Sequence, residues 1–318
     1  FGPVLGVMKA RDLDEAIDLV NQTGYGLTSG IESLDDREQE HWWNSVRAGN
    51  LYINRVTTGA IVLRQPFGGM GKSAFGPGIK AGGPNYVAQL MSFRQDGDLA
   101  GSESIHNEQL EYLCARLAKA DDYTRERLSD EELESICKAI RSYDLAFEEE
   151  FGKVHDSFLL IGQDNLRRYL PVSELRVRVH PSDSAFELFG RAAAAKAAGA
   201  RITVSYPHEG RTKAIEALEH VTEFWAGSIE FVEETDEELA DIIRDGLTDR
   251  IRFAGRDRAP EVVLRAVGDT GVYIARAPVL AEGRVELLWY LREQSVSFDY
   301  HRYGTLGDRA MEERAETL

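Results

Sequence analysis

Cysteine is scarce in this sequence, and its scarcity limits the chemistry to consider. The chain has two cysteines, Cys114 and Cys137, which are too few for the disulfide framework of a small secreted protein. Both fall on the apolar faces of predicted helices, and no group that would activate a thiol is evident near either one. We therefore expect reduced core thiols in a cytoplasmic protein.

Long apolar runs, metal-ligand spacings and nucleic-acid modules are also missing. No apolar run is long enough to cross a bilayer, so the sequence predicts no transmembrane segment. The seven histidines are scattered without a spacing such as H-E-x-x-H, so we assign no metal. The formal net charge of −17 argues against nucleic acid as a partner.

Acidic residues are absent between His41 and Gln95, although the chain as a whole is strongly acidic. The same stretch contains six basic residues and, between Gly59 and Gly83, eight glycines. Glycine lets the backbone approach a ligand closely, and backbone N–H groups near positive charge favour an anion. The stretch therefore predicts an ordered loop system that holds an anion. On charge alone, a solvated basic surface is the alternative.

Two segments of this loop match parts of phosphate-binding motifs but lack the flanking residues and elements that those motifs require. Gly69-Met-Gly-Lys-Ser-Ala74 satisfies G-x-G-x-x-A, yet no strand pattern precedes it and a Gly/Pro run follows where a helix is needed. Gly71-Lys72-Ser73 looks like the end of a P-loop, but Pro66 stands where the earlier glycine is required. We discount both motifs.

The distribution of charge divides the chain into two units. Residues 1–95 are formally neutral, and the rest of the chain carries the whole −17, with a natural boundary at residues 95–102. In the first unit, Asp12 and Glu15 have capping-box spacing, and the helix that they begin ends at Gly24. The other predicted elements are a strand at 28–34, a helix at 36–48, and strands at 51–54 and 86–93. This alternation indicates α/β architecture.

The second unit begins with two helices, one with an apolar stripe from Leu110 to Leu117 and one behind the capping box Ser129 and Glu132. Strands are then predicted at 158–161, 175–180, 201–206, 228–232 and 250–253, and helices at 184–198, 211–224 and 236–245. This rhythm is typical of a doubly wound parallel sheet. No G-x-G-x-x-G follows any of these strands. The unit is therefore predicted to be a Rossmann-like layer without a dinucleotide fingerprint, with a structural or docking role.

Several separated motifs of the first unit occur in the order found in one enzyme family. They are Phe1-Gly-Pro-Val4, Tyr25-Gly-Leu27, Ala48-Gly-Asn-Leu-Tyr-Ile-Asn54 and Pro66-Phe-Gly-Gly69. Together they resemble the C-terminal third of an aldehyde dehydrogenase. Thr57-Thr-Gly-Ala-Ile-Val62 and Lys80-Ala-Gly-Gly-Pro84 resemble the branch that oxidises L-glutamate γ-semialdehyde, also called 1-pyrroline-5-carboxylate dehydrogenase.

The second unit resembles the extra C-terminal domain of the longer proline utilization A proteins. The resemblance rests on Gly162-Gln-Asp-Asn165, Arg168-Tyr169 and the tail that runs from Gly283 to Tyr303. These bacterial proteins fuse an FAD-dependent proline dehydrogenase to the aldehyde dehydrogenase. The resemblance implies a C-terminal part of the aldehyde dehydrogenase domain at 1–95, a linker and helices at 96–150, and a Rossmann-like domain with a tail motif at 151–318.

The resemblance also implies site residues. Phe1 matches the phenylalanine that packs on the nicotinamide end of NAD. Gly59 and Ala60 match the anchor loop whose backbone N–H groups bind the α-carboxylate of the substrate. Phe67 matches an aromatic wall of the aldehyde pocket, and residues 86–93 match a strand of the oligomerisation flap.

The family's catalytic cysteine, general-base glutamate, oxyanion-hole asparagine and main NAD-binding segment lie upstream of the matched region. The chain begins on a motif and without Met, so we expect a fragment that has no catalytic residue of its own and is inactive alone. NAD would then bind the parent enzyme, FAD only the missing proline dehydrogenase part, and homo-oligomers are expected. Two alternatives stay open, namely a non-catalytic module that covers a substrate tunnel and an aldehyde dehydrogenase for another substrate.

Overall fold

The computed structural model describes residues 2–96, 104–301 and 303–314. Its α-helices are α1 (Leu13–Gln22), α2 (Asp36–Ser45), α3 (Glu108–Ala118), α4 (Asp122–Arg125), α5 (Asp130–Ala146), α6 (Ala185–Ala198), α7 (Lys213–Val221), α8 (Asp236–Arg244), α9 (Glu261–Thr270) and α10 (Gly283–Glu286). Its strands are β1 (Tyr25–Gly26), β2 (Thr28–Ile31), β3 (Asn50–Ile53), β4 (Met70–Gly71), β5 (His155–Asp156), β6 (Gln163–Pro171), β7 (Glu174–Arg178), β8 (Arg201–Tyr206), β9 (Ile229–Glu233), β10 (Arg250–Arg252), β11 (Tyr273–Ala275) and β12 (Leu291–Asp299). The chain is an α/β protein, as the sequence predicts.

A parallel five-stranded sheet forms the second unit, in the order β11-β10-β7-β8-β9. The first of these strands along the chain, β7, lies in the middle of the sheet. The chain then adds β8 and β9 on one side and β10 and β11 on the other, which is the doubly wound arrangement. Helix α6 begins at a reciprocal capping box of Ser184 and Glu187 and ends at Gly199, whose φ of +81° suits a glycine. The predicted Rossmann-like layer is confirmed.

A second five-stranded sheet combines strands from both ends of the chain, in the order β2-β3-β12-β6-β5. Strand β12 runs parallel to β3 on one side and antiparallel to β6 on the other, with Val296 opposite both Leu51 and Leu166. Leu51 and Val296 are buried, and Trp42 of α2 belongs to the same core cluster. Strands β2 and β3 of the first unit are therefore joined by hydrogen bonds into one sheet with β12, which lies more than 230 positions later in the sequence.

Two predicted strands are wrong. Residues 158–161 form no strand, because Leu159 and Gly162 both have positive φ and turn the chain into β6. The predicted flap strand at 86–93 is instead a 3-10 helix over Tyr86–Leu90. Its backbone closes local turns, such as Tyr86 N to Gly83 O at 3.3 Å, and no described strand borders it.

None of the helices in the described ranges combines the length and the apolar character that crossing a bilayer requires.

Candidate functional site

The predicted anchor residues Gly59 and Ala60 lie on an exposed loop after β3. The hydroxyl of Tyr52 donates a hydrogen bond to the Gly59 carbonyl at 2.9 Å. Gly59 has a φ of +133°, and a Cβ built on it would lie 2.5 Å from Oε1 of Gln65, so glycine is required here. Among the residues that the structure describes, no acceptor meets the N–H groups of Gly59 and Ala60. Two unpaired donors on an exposed, fixed backbone suit a carboxylate.

Arg55 adds positive charge at the same place. Its Nη2 lies 4.0 Å from the position that a Cβ of Gly59 would occupy. The side chain is 14% exposed, and its Nη1 lies 3.6 Å from a carboxylate oxygen of Asp299. Within the described part of the chain, Nε and Nη1 of Arg55 have no hydrogen-bond partner. The nearly buried guanidinium thus has the Asp299 carboxylate as its counter-ion and supports the loop from behind, and the sequence had marked Arg55 only as one of six basic residues.

A tight turn joins the anchor residues to Phe67. Ile61 and Gln65 exchange backbone hydrogen bonds of 3.1 and 2.7 Å, and Leu63, with a φ of +59°, donates from its N–H to Gly82 O at 2.8 Å. Phe67 is half-buried, and its backbone pairs with Ala81 in both directions, at 2.9 and 3.0 Å. The structure thus places Gly59, Ala60 and Phe67 on successive segments of one loop system, with the turn between them.

Lys80 stabilises this loop system from its interior. The side chain is buried, and its Nζ donates to the carbonyl of Gly68 and to Oδ1 of Asn50 at 3.3 Å. Burial lowers the pKa of Lys80 to about 7, although the nearby Glu293 carboxylate opposes that shift. Glu293 accepts the backbone N–H of Lys80 at 2.8 Å, and burial raises the pKa of its carboxyl. Lys80 therefore belongs to the internal structure of the loop and is not part of a solvated basic surface.

Strands β6 and β12 support the loop from the second unit. Ser295 Oγ donates to Pro66 O at 2.6 Å, and Gln65 Nε2 donates to Asn165 Oδ1 at 3.0 Å. The Arg64 guanidinium donates to Oε1 of Gln163. These contacts link residues about 100 to 230 positions apart. No local sequence signal could have identified them.

The Rossmann-like sheet has a crevice of about 350 Å³ at the carboxyl ends of β7 and β10. In dinucleotide-binding folds, the pyrophosphate lies at the N-terminus of the helix that follows the first strand. Here the capping box fills the start of α6, and the buried Asp183 just before it pairs with the guanidinium of Arg191 and, at 2.6 Å, with that of Arg258. The chain's own carboxylates occupy the position of a phosphate, so these residues do not fit NAD.

The remaining residues of interest lie elsewhere. Phe1, predicted to contact NAD, lies outside the described residues. Cys114 on α3 and Cys137 on α5 are free cysteines, and both helices belong to the second unit. No cluster of three or more metal-ligating side chains occurs in residues 2–96, 104–301 and 303–314.

Residues 1–95 match the model of the aldehyde dehydrogenase family. The bifunctional protein PutA of Rhizobium meliloti is 52% identical over 94 residues, which are 29% of this chain and 8% of that protein. The 1-pyrroline-5-carboxylate dehydrogenase of Geobacillus thermodenitrificans is 48% identical over 91 residues, which are 29% of this chain and 17% of that enzyme. Both alignments are about as long as the matched N-terminal region.

One solved structure is similar to nearly the whole chain. It is proline utilization A from Corynebacterium freiburgense, with 33% identity and a TM-score of 0.68 over 95% of this chain and 26% of that one. The chain spans less than a fifth of these two curated relatives and about a quarter of this structure. Residues 1–95 therefore match the aldehyde dehydrogenase family, and the chain as a whole is similar to part of a proline utilization A protein.

Proposed function

We propose that this chain is part of an NAD-dependent L-glutamate γ-semialdehyde dehydrogenase of proline catabolism, to which it supplies the loop that binds the α-carboxylate of the substrate. The observation that carries the proposal is the pair of unpaired N–H groups at Gly59 and Ala60. The names of the relatives that align with residues 1–95 support the same reaction. The other parts of the active site lie on the upstream part of the same polypeptide.

The chemistry of the loop follows from its backbone. A carboxylate can accept one hydrogen bond from each free N–H, and a hydrogen bond to a charged group contributes about 1.5–3 kcal/mol. The side chain at position 60 is a methyl group, which leaves the backbone accessible. Arg55 lies behind the loop, where it is paired with Asp299 and supports the backbone that carries the two N–H groups. Phe67 would form an apolar wall for the aliphatic part of the substrate.

The chain itself orients the substrate and does not carry out the oxidation. NAD, when bound, supplies a hydride acceptor, but no described residue of this chain is assigned to it. Phe1 remains a proposed NAD contact, and the start of α6 is blocked by Asp183 and its arginines. We expect the chain alone to be inactive, with FAD confined to a fused proline dehydrogenase part.

A second role, as a structural module, is favoured by the contacts of β6 and β12 with the loop. Glu293 and Ser295 of β12 bind the backbone of Lys80 and Pro66, so the second unit fixes the geometry of the substrate loop. We further propose that the chain consists of domains at 1–95, 96–150 and 151–318. In the oligomer, the module would cover a substrate tunnel. An aldehyde dehydrogenase for another substrate remains the alternative.

The test is substrate discrimination by the intact polypeptide that contains this chain. NADH formation is compared between 1-pyrroline-5-carboxylate and 1-pyrroline, which differ only in the α-carboxylate. Two lost charge-assisted hydrogen bonds predict a decrease in kcat/KM of about 10²-fold or more for 1-pyrroline. Equal values would leave the fold intact and remove the substrate assignment.

A further inference from the structure

The two cysteines of the chain face each other across a helix packing interface. Cys114 lies on α3 and Cys137 on α5, and the Sγ of each lies 3.8 Å from the backbone oxygen of the other. Because the contact is reciprocal, each sulfur atom lies against the backbone of the residue that carries the other sulfur. The sequence, in which the two cysteines are 23 positions apart, gave no sign of this pairing.

A cavity gives this pair access to solvent. It has a volume of about 330 Å³ and is lined by both cysteines, Leu133 and the polar side chains of Lys138 and Arg141, among others. Cys114 is buried, with 6% of its surface exposed, whereas Cys137 is partly exposed. A small molecule in the cavity would therefore meet Cys137 first.

Neighbouring groups also shift the pKa of each thiol. The hydrogen bond from Cys114 and then the charge of Arg141 lower the pKa of Cys137, against the effect of burial. The pKa of Cys114 is raised by its hydrogen bond with Cys137 and by burial. The charge of Arg141 acts on both thiols, and the sequence alone did not identify this neighbour. Cys137 is the more accessible thiol and Cys114 lies behind it, which is the arrangement of a reactive cysteine with a resolving partner.

We propose that Cys137 and Cys114 form a reversible disulfide when the protein meets a small peroxide. The Cys137 thiolate attacks one peroxide oxygen, the O–O bond breaks, and the sulfur becomes a sulfenic acid while the other oxygen leaves as water or an alcohol. The Cys114 sulfur then attacks the Cys137 sulfur, and the sulfenic oxygen leaves as water with the proton of the Cys114 thiol. Two thiols and one peroxide give one disulfide, one water and one further water or alcohol.

The site is independent of the substrate loop, and its oxidation would act on the helical layer of the second unit. Helix α5 is anchored to the segment before β12, since Tyr143 donates from its hydroxyl to Leu280 O at 2.6 Å and Gly283 donates from its N–H to Ser142 Oγ at 2.9 Å. A covalent link from α3 to α5 would restrict the helix that carries these contacts. A failure of the proposed dehydrogenase function would leave this inference untouched.

Peptide mass spectrometry of the purified full-length protein after treatment with hydrogen peroxide tests the proposal. Trypsin releases Cys114 in peptide 95–116 and Cys137 in peptide 128–138, so other cysteines of a longer polypeptide do not interfere. The expected product is the two peptides joined, two hydrogens lighter than their sum, and separated again by dithiothreitol. Recovery of both peptides as free thiols, or of Cys137 only as sulfinic acid, would overturn the proposal.

Two variants separate the roles of the sulfur atoms. Cys114→Ser should leave Cys137 as a sulfenic acid that dimedone traps, whereas Cys137→Ser should leave Cys114 unreactive. In the wild type, iodoacetamide should modify Cys137 faster than Cys114, because Cys137 is the more exposed of the two thiols that line the cavity. Equal alkylation rates, or dimedone labelling of Cys114 in Cys137→Ser, would contradict the assigned order of attack. The wild-type measurement decides the proposal even if a variant folds poorly.

Discussion

Replacing Lys80 by methionine should change how the free energy of unfolding depends on pH. Lys80 is 1% exposed, and burial lowers its pKa from 10.5 to about 7. Between these two values the unfolded chain binds a proton that the folded chain does not, so stability rises with pH. Below about pH 7 both states are protonated, and the folded state carries the full cost of the buried charge.

The magnitude follows from the shift. At 1.36 kcal/mol per pKa unit, the full effect is at most about 5 kcal/mol, and about 2 kcal/mol of it develops between pH 7 and 9. The wild type should therefore gain about 2 kcal/mol relative to Lys80→Met over that interval. The variant also loses the hydrogen bonds to Gly68 and Asn50, which lowers its stability at every pH without changing the slope.

Urea unfolding of the full chain, followed by tryptophan fluorescence at pH 7, 8 and 9, measures this slope. Lys72→Met is the matched control, because Lys72 belongs to the same glycine-rich loop but is exposed. We expect the Lys72 variant to follow the pH dependence of the wild type. If the free energy of unfolding of the Lys80 variant has the same pH dependence as that of the wild type, Lys80 does not titrate between pH 7 and 9. The lowered pKa assigned to this buried lysine would then be wrong.

Three further variants probe the packing around the loop and the α6 terminus. Gly59→Ala should lower stability by about 1–3 kcal/mol because of its φ of +133° and the contact with Gln65, as a lower melting temperature would show. Ser295→Ala leaves the buried Pro66 carbonyl without its donor, at a cost of about 1–3 kcal/mol; it should raise KM in the intact enzyme, and an unchanged KM would refute the supporting role. Asp183→Asn removes a carboxylate that pairs with two arginines, so the urea midpoint should fall by the equivalent of about 3–5 kcal/mol.

Local signals in the sequence predicted much of the second unit. The capping box of Ser129 and Glu132 predicted the start of α5. The predicted helix at 184–198 corresponds to α6, which ends at Gly199 with a positive φ. The strand from Arg201 to Tyr206 was predicted with its observed bounds. These features depend on residues a few positions apart, so they can be read without knowledge of the fold.

Contacts between distant residues explain what the sequence did not predict. Strand β12 is polar at Glu293, Ser295 and Ser297, yet these side chains are buried. The glycine-rich loop covers this face of the sheet, where Glu293 and Ser295 bind the backbone of Lys80 and Pro66. Residues 86–93 are apolar enough for a strand but have no neighbouring strand in the described chain. The anchor residues came from the family resemblance, whereas Arg55 and Lys80 acquired their roles only from the structure.

The most direct test of the anchor loop is a pair of substitutions at Ala60 in the intact enzyme. Aspartate and asparagine have nearly the same size, so the pair Ala60→Asp and Ala60→Asn isolates charge. A carboxylate about 5 Å from that of the substrate repels it by about 3 kcal/mol at an effective dielectric constant of about 20, which predicts a KM for 1-pyrroline-5-carboxylate about 10²-fold higher in Ala60→Asp than in Ala60→Asn. The KM for 1-pyrroline should not be higher in Ala60→Asp than in Ala60→Asn, because that substrate has no carboxylate to be repelled. Equal KM values for the carboxylate substrate would contradict the claim that Gly59 and Ala60 bind it.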